Sequence, residues 1–335
     1  DILRIPKPYS VGIFLSYKCN SRCRHCIYAC SPKWEDDWLS GGDAERIFAQ
    51  LASKLPRYAS DQVGLNSGVH ITGGEPFLKF DLLLRVTEIA YQYGLPGLFV
   101  ETNCFWCRDD DTARDMLWRL KEAGLAGILI SANPFVVEYV PFERIERAAR
   151  IGREIFGQQN TMIYQMLFFE QFQRMSLRGR LPFDEYLRGG ASGLAYMELL
   201  PQGRVSYKLA HLYRRFPVRR FFGQSCRRDL IRDWHIHIDN YGNYLPGYCS
   251  GLSLGDARDL DALCAGINLD ERPVLRALLN DLRALYELGR AYGYEERREG
   301  YISKCHLCLD VRRYLVTRDV FPELQPREFY EHLED

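Results

Sequence analysis

No apolar run in this chain approaches the roughly eighteen residues that a membrane-crossing helix needs. Internal repeats and low-complexity tracts are also missing, which excludes solenoid arrays and compositionally biased tails. Net charge is absent too, since 44 lysines and arginines balance 44 aspartates and glutamates. That removes the electrostatic footprint of a nucleic-acid binder, so no nucleic-acid partner is expected. No secretory signal precedes the 11 cysteines, and the chain starts at Asp1 without a methionine. The thiols are therefore expected to be reduced rather than disulfide-bonded, which fits a cytoplasmic location. At 335 residues the chain is long enough for a substantial core and more than one unit.

What the chain does have is thiols at informative spacings. Cys19, Cys23 and Cys26 stand as Cys-Asn-Ser-Arg-Cys-Arg-His-Cys, directly after the apolar residues 11–15. Three thiolates on one short loop suit three irons of a [4Fe–4S] cubane, leaving the fourth iron open to a ligand the protein does not supply. A zinc ion would instead close its tetrahedron with Cys30 or His25, and this remains the alternative. Past the strand-like residues 68–72 the chain reads Gly73-Gly74-Glu75-Pro76. Two glycines let backbone approach a ligand closely, and the carboxylate beside them can accept from an ammonium group. Taken alone, the same four residues read as an ordinary strand-to-helix turn.

Together the two motifs resemble the radical SAM superfamily, whose signature is CxxxCxxC after the first barrel strand and GGE-type glycines after the second. Residues 99–103 (Phe-Val-Glu-Thr-Asn) are similar to the family's third strand and 127–131 to its fourth. Residues 198–204 are similar to its sixth strand and the Pro-x-Gly-Arg turn that follows. Helix-period segments lie between, near 44–55, 81–93, 112–123 and 142–156. Strands alternating with helices imply a parallel sheet with crossover helices, and the resemblance makes this an α/β fold, a partial (β/α)6 barrel over residues 1–222. In such barrels ligands sit at the C-terminal strand ends, where every motif named above falls.

The resemblance further implies that Cys19, Cys23 and Cys26 hold a cluster whose open iron binds the amino and carboxylate groups of S-adenosylmethionine (SAM). Glu75 would accept from the amino group, Gly73 and Gly74 would line the methionine part, and Thr102, Asn103 and Ser131 would end the strands around SAM, Ser131 towards adenosine. His25 stands where the family usually has an aromatic residue and would stack on adenine. Reductive cleavage of SAM would leave methionine and a 5′-deoxyadenosyl radical.

Four more thiols follow at Cys226, Cys249, Cys305 and Cys308, the last two as Cys-His-Leu-Cys. Between the first two, residues 235–245 show a hairpin pattern with its turn at 240–243, and a helical stretch runs over about 273–292. This order resembles the SPASM and twitch extensions of radical SAM enzymes, and four cysteines suit the twitch form with one auxiliary [4Fe–4S] cluster. The resemblance thus implies a β-hairpin plus helix auxiliary-cluster domain over 223–335. The interval from Gly242 to Cys249 is longer than the family's, and a structural zinc is the alternative occupant.

The remaining thiols divide by position. Cys104 and Cys107 form a Cys-x-x-Cys at the third strand end, readable as a hydrogen-atom donor, a redox pair or spare ligands. The plainer reading packs both under Trp106. Cys30 and Cys264 read as buried thiols. At the domain junction, the basic and aromatic residues 214–222 offer a receptor for an acidic substrate, a phosphate or a leader peptide, or else a solvated helix. Residues 178–190 offer a lid or a plain loop.

The family implies an oxidoreductase-type enzyme that abstracts a hydrogen atom from a small metabolite or a peptide. Its auxiliary cluster would accept an electron during dehydrogenation or crosslinking, and a flavodoxin- or ferredoxin-type protein would supply electrons. A redox-neutral epimerase using Cys104 or Cys107, and a ribosomal-peptide maturase, are the enzymatic alternatives. A two-cluster electron carrier or a zinc-binding module is the non-enzymatic one, against which Glu75 counts, since a carrier has no use for an ammonium acceptor.

Overall fold

The computed structural model describes residues 1–57 and 62–335. Short apolar segments buried on both faces set its frame, as expected for parallel strands covered by helices. After a two-residue β1 (Ile2–Leu3), strands β2 (Ser10–Phe14) and β3 (Gly68–Thr72) are buried throughout. They are followed by β4 (Phe99–Thr102), β5 (Gly127–Ser131) and β6 (Thr161–Tyr164). Helices α1 (Gly41–Ala52), α2 (Phe80–Gln92), α3 (Asp110–Glu122) and α4 (Phe142–Phe156) connect them. In α1 the buried residues Ala44, Ile47, Phe48 and Leu51 follow a three- and four-residue step, so one stripe faces the sheet. The expected 142–156 helix is observed end to end. Helices α1 and α3 begin earlier than their apolar pattern because a cap starts them: the Ser40 side chain accepts from Asp43 N, and Asp109 accepts from Thr112 N.

The sheet order is β6-β5-β4-β3-β2-β7-β8, where β7 is Ile236–Ile238 and β8 is Tyr244–Leu245. From β6 to β7 all pairings are parallel, and β8 runs antiparallel to β7. This corrects one expectation. Residues 198–204 form no strand, and the sixth parallel position is taken by β7 on the far side of β2, with Gly12 opposite His237. Pro201 lacks an amide proton, and Glu198, Gln202 and Arg204 are polar, whereas Ile236 and Ile238 are fully buried.

The hairpin expected in the C-terminal unit is joined to the sheet through the pairing of β7 with β2. Antiparallel pairing of β1 with β9 (Ile267–Asn268) ties the first residues to the C-terminal third further. The long helix expected over 273–292 is two helices, Pro273–Asn280 and Leu282–Ala291, broken at the extended Asp281, whose side chain caps the second. In the junction run, Val218–Phe221 is a single 3-10 turn with both of those residues buried. Residues 183–190, within the expected lid, form a helix that buries Phe183 and Tyr186. Among the described residues no helix is long and apolar enough to cross a membrane.

Candidate functional site

The N-terminal site residues lie at or just past the C-terminal ends of parallel strands. Past β2 the chain loops through Cys19, Cys23 and Cys26, close enough for the thiols to repel one another when ionised. Amide donors already point at two of the sulfurs: Ser21 N lies 3.4 Å from Cys19 Sγ, and Cys30 N lies 3.4 Å from Cys26 Sγ. The Cys30 thiol bond and the charge of Arg204 hold Cys26 down to about 6, whereas burial pushes Cys19 and Cys23 up. Arg204 is fully buried and fastens the loop. Its Nη1 donates to Cys23 O and Cys30 O at 3.1 Å, and its Nη2 to His332 O at 3.0 Å. Gly203 precedes it at φ 57°, where a Cβ would lie 2.4 Å from Ile27 Cα. The Pro-x-Gly-Arg segment thus acts as a clamp on the cysteine loop although it is no strand.

Beyond Thr72 the chain keeps pairing with the cysteine loop, Gly74 N donating to Ser16 O at 2.8 Å and Glu75 N to Lys18 O at 3.0 Å. A Cβ on Gly73 would lie 2.3 Å from Ser16 O and one on Gly74 1.9 Å from Lys18 O, so neighbouring backbone alone already demands both glycines. Glu75 is buried and ties β3 to β4. Its Oε1 accepts from Phe77 N at 3.1 Å and Thr102 Oγ1 at 2.9 Å, and its Oε2 accepts from Asn103 N at 2.8 Å. A carboxylate offers about four lone-pair sites, so about one is left, on Oε2. Burial raises the Glu75 carboxyl to about 7. Asn103 Nδ2 donates to Asn20 Oδ1 at 2.9 Å, which links the β4 end to the cysteine loop.

Ser131 is half-buried at the end of β5. His25 stacks on Phe135, ring centroids 4.9 Å apart, and its Nε2 meets Asn133 Nδ2 at 3.3 Å. Burial lowers His25 to about 4, so the ring is neutral, and its buried Nδ1 has no hydrogen-bond partner. Cys104 and Cys107 are wholly buried, and Trp106 between them stacks on Phe77 at 4.1 Å. Burial pushes both thiols up, Cys107 to about 12, so neither is a thiolate.

The other four thiols converge from three distant segments. Cys226 precedes the short helix Arg227–Leu230, Cys249 follows β8, and Cys305 and Cys308 lie in the first turns of the helix Lys304–Leu315. Burial and then mutual repulsion raise Cys249 and Cys305 to about 12 and Cys226 further, so four bare thiolates would not coexist. A cationic centre would remove that conflict, and a four-sulfur donor set fits either an iron–sulfur cluster or zinc. Arg312 is buried beside it, its Nε donating to Cys308 Sγ at 3.3 Å and its Nη1 to Ser250 O and Tyr330 Oη at 2.9 Å. Sequence reasoning missed Arg312 and the clamping contacts of Arg204. Arg312 was findable, since it lies four residues after Cys308 on the same helix face.

Residues 13–162 match the model of the Radical SAM superfamily, so the chain carries a radical SAM domain. Among curated proteins, it is 27% identical over 202 residues to a GTP 3′,8-cyclase of Limosilactobacillus fermentum, covering 58% of this chain and 54% of that protein. A GTP 3′,8-cyclase of Lactiplantibacillus plantarum is 25% identical over the same shares. The chain spans about half the length of the curated relatives it matches. Among solved structures, anSMEcpe with bound AdoMet gives a TM-score of 0.43 at 13% identity, covering 93% of this chain and 98% of that one. BtrN in complex with AdoMet and 2-DOIA gives 0.42 at 13% identity, covering 81% and 87%.

Proposed function

We propose that the protein is a SAM-cleaving enzyme of oxidoreductase type that abstracts a hydrogen atom from a small metabolite or a peptide and passes an electron to an auxiliary cluster. The observation that carries this reading is the joining of three strand ends: the Cys19-Cys23-Cys26 loop, the Gly73-Gly74-Glu75 turn and the Thr102-Asn103 terminus share one hydrogen-bond network. When bound, a [4Fe–4S] cluster and SAM supply one-electron chemistry that reductively splits the sulfonium. Cys19, Cys23 and Cys26 would hold the cluster, with amides of Ser21 and Cys30 donating to sulfur. Glu75 would use its free Oε2 site for the SAM ammonium while its other bonds fix the carboxylate in place. Ser131 and the face of His25 turned away from Phe135 would meet the adenosine part. Cys226, Cys249, Cys305 and Cys308 would hold the auxiliary cluster, with Arg312 donating to a ligating sulfur.

The test is anaerobic incubation of iron- and sulfide-reconstituted protein with SAM and dithionite. 5′-Deoxyadenosine and about eight irons per chain are expected. Absence of deoxyadenosine with the first cluster in place would overturn the reading. Two hydrogens lost from a product would mark oxidation, and deuterium uptake without mass loss would mark epimerisation.

A further inference from the structure

Gly12, at the centre of β2, is there because two imidazoles meet above it. A Cβ at that position would lie 2.5 Å from His70 Nε2 and 2.8 Å from His237 Nε2, side chains that arrive from β3 and β7 on either side. His235 joins them from the residue before β7, at φ 51°, a left-handed backbone uncommon outside glycine. One ring nitrogen from each of the three lies within 4.8 Å of the others. All three residues are buried, none more than 8% exposed.

The hydrogen bonds fix which nitrogen is free. His237 Nδ1 lies 3.0 Å from Gly247 O and 2.8 Å from Tyr28 Oη, whose own proton goes to Gly247 O at 3.2 Å, and His235 Nδ1 lies 2.9 Å from Leu65 O. A carbonyl only accepts, so each Nδ1 carries the proton and each Nε2 is left with a lone pair. His70 Nε2 has no hydrogen-bond partner, and Glu101 Oε1 stands 3.5 Å from it. The other Glu101 oxygen is engaged by Thr72 Oγ1 at 2.7 Å. One bridging water donates only two hydrogen bonds, too few for three imidazoles and a carboxylate. Backbone carbonyls that orient imidazoles through Nδ1 are the outer shell found around metal-bound histidines.

We propose that His70, His235 and His237, with Glu101 as the oxygen ligand, form a site for one divalent first-row transition ion of the zinc or ferrous class, separate from both sets of cysteines. Three imidazoles and a carboxylate match such borderline ions rather than calcium or magnesium. A bound ion would draw the nitrogens in to metal–imidazole lengths of about 2.0–2.1 Å. This site is independent of the radical SAM reading, since it uses none of the residues placed around SAM.

The test uses reconstituted protein, its cysteine sites filled with iron, equilibrated with zinc chloride and desalted before elemental analysis. About one zinc per chain is expected, and His235→Ala with His237→Ala should lower retention at least tenfold with iron content unchanged. Cys305→Ala with Cys308→Ala should keep the histidine-dependent zinc. Zinc-edge absorption of the unmodified sequence needs no variant and should show a nitrogen and oxygen shell near 2.0–2.1 Å. No retained zinc, retention equal in the histidine variant, or a sulfur shell near 2.3 Å would each overturn the proposal.

Discussion

The two cysteine sites are built by opposite routes. At the first, three thiols come from one stretch of eight residues, and the rest of the protein acts on that stretch and the residues just after it, Arg204 holding the carbonyls of Cys23 and Cys30 and Asn103 reaching Asn20. At the second, four thiols come from three remote segments, and a buried cation, Arg312, bonds directly to a sulfur. The first donor set is one short of the four a cubane needs and sits beside a carboxylate with an acceptor site to spare. The second is complete. An incomplete set next to an unused acceptor suits binding an outside molecule, whereas a complete set clamped by an arginine suits holding a centre without exchanging its ligands.

The sharpest way to break this contrast is to remove the first site whole. Cys19→Ala, Cys23→Ala and Cys26→Ala together should abolish deoxyadenosine and lower iron from about eight to about four per chain. Deoxyadenosine formed at the original rate would mean that the assignments are interchanged or wrong. Cys305→Ala with Cys308→Ala is the reciprocal experiment. Iron should again fall to about four, with deoxyadenosine retained and product lost. Product made at an undiminished rate would reduce the second site to a structural one, and circular dichroism checks that the variant is folded.

Smaller effects sharpen the contrast. Arg204→Met leaves the carbonyls of Cys23, Cys30 and His332 without this donor, and at about 1–3 kcal/mol for each unpaired buried group it should destabilise the first loop strongly. Iron should then leave the first site faster while the second keeps its complement. Equal loss from both would show that Arg204 supports the whole fold rather than the loop.

Glu75→Gln should weaken SAM about ten- to a hundredfold, the loss of one charge-assisted bond of about 1.5–3 kcal/mol. It should also lower the melting temperature, because the glutamine amide sets a donor against either Asn103 N or the Phe77 N and Thr102 pair. Since burial places the Glu75 carboxyl near 7, the ionised acceptor is lost as pH falls through that value. SAM affinity should therefore rise between about pH 6 and 8 in the unmodified protein and stay flat in the glutamine variant. Affinity unmoved by both changes would leave Glu75 as a tie between β3 and β4 only.

Much of this was legible residue by residue. The first thiol loop, the glycine-glutamate turn and helix 142–156 were readable because each rests on near neighbours in the chain, through ligand spacing, turn geometry or apolar periodicity. The meeting of the four remote cysteines was expected only through the resemblance, since nothing local says that residues 226, 249 and 305 come together. The 198–204 segment was misread as a strand because the resemblance carried the sixth strand onto it, although Pro201 and its polar residues suit no buried strand and the sheet position went to β7.

By itself, then, the sequence determined the elements and the chemistry carried on single loops, because backbone hydrogen bonding and side-chain periodicity act over a few residues. Only the tertiary structure decided that β7 lies beside β2, that Arg204 and Arg312 each serve a different thiol site, that most of the acceptor capacity of Glu75 is used internally, and that His70 faces His235 and His237 across Gly12. Those outcomes depend on which distant strands share hydrogen bonds and which polar groups must find partners once buried, and such choices are made by the whole fold at once.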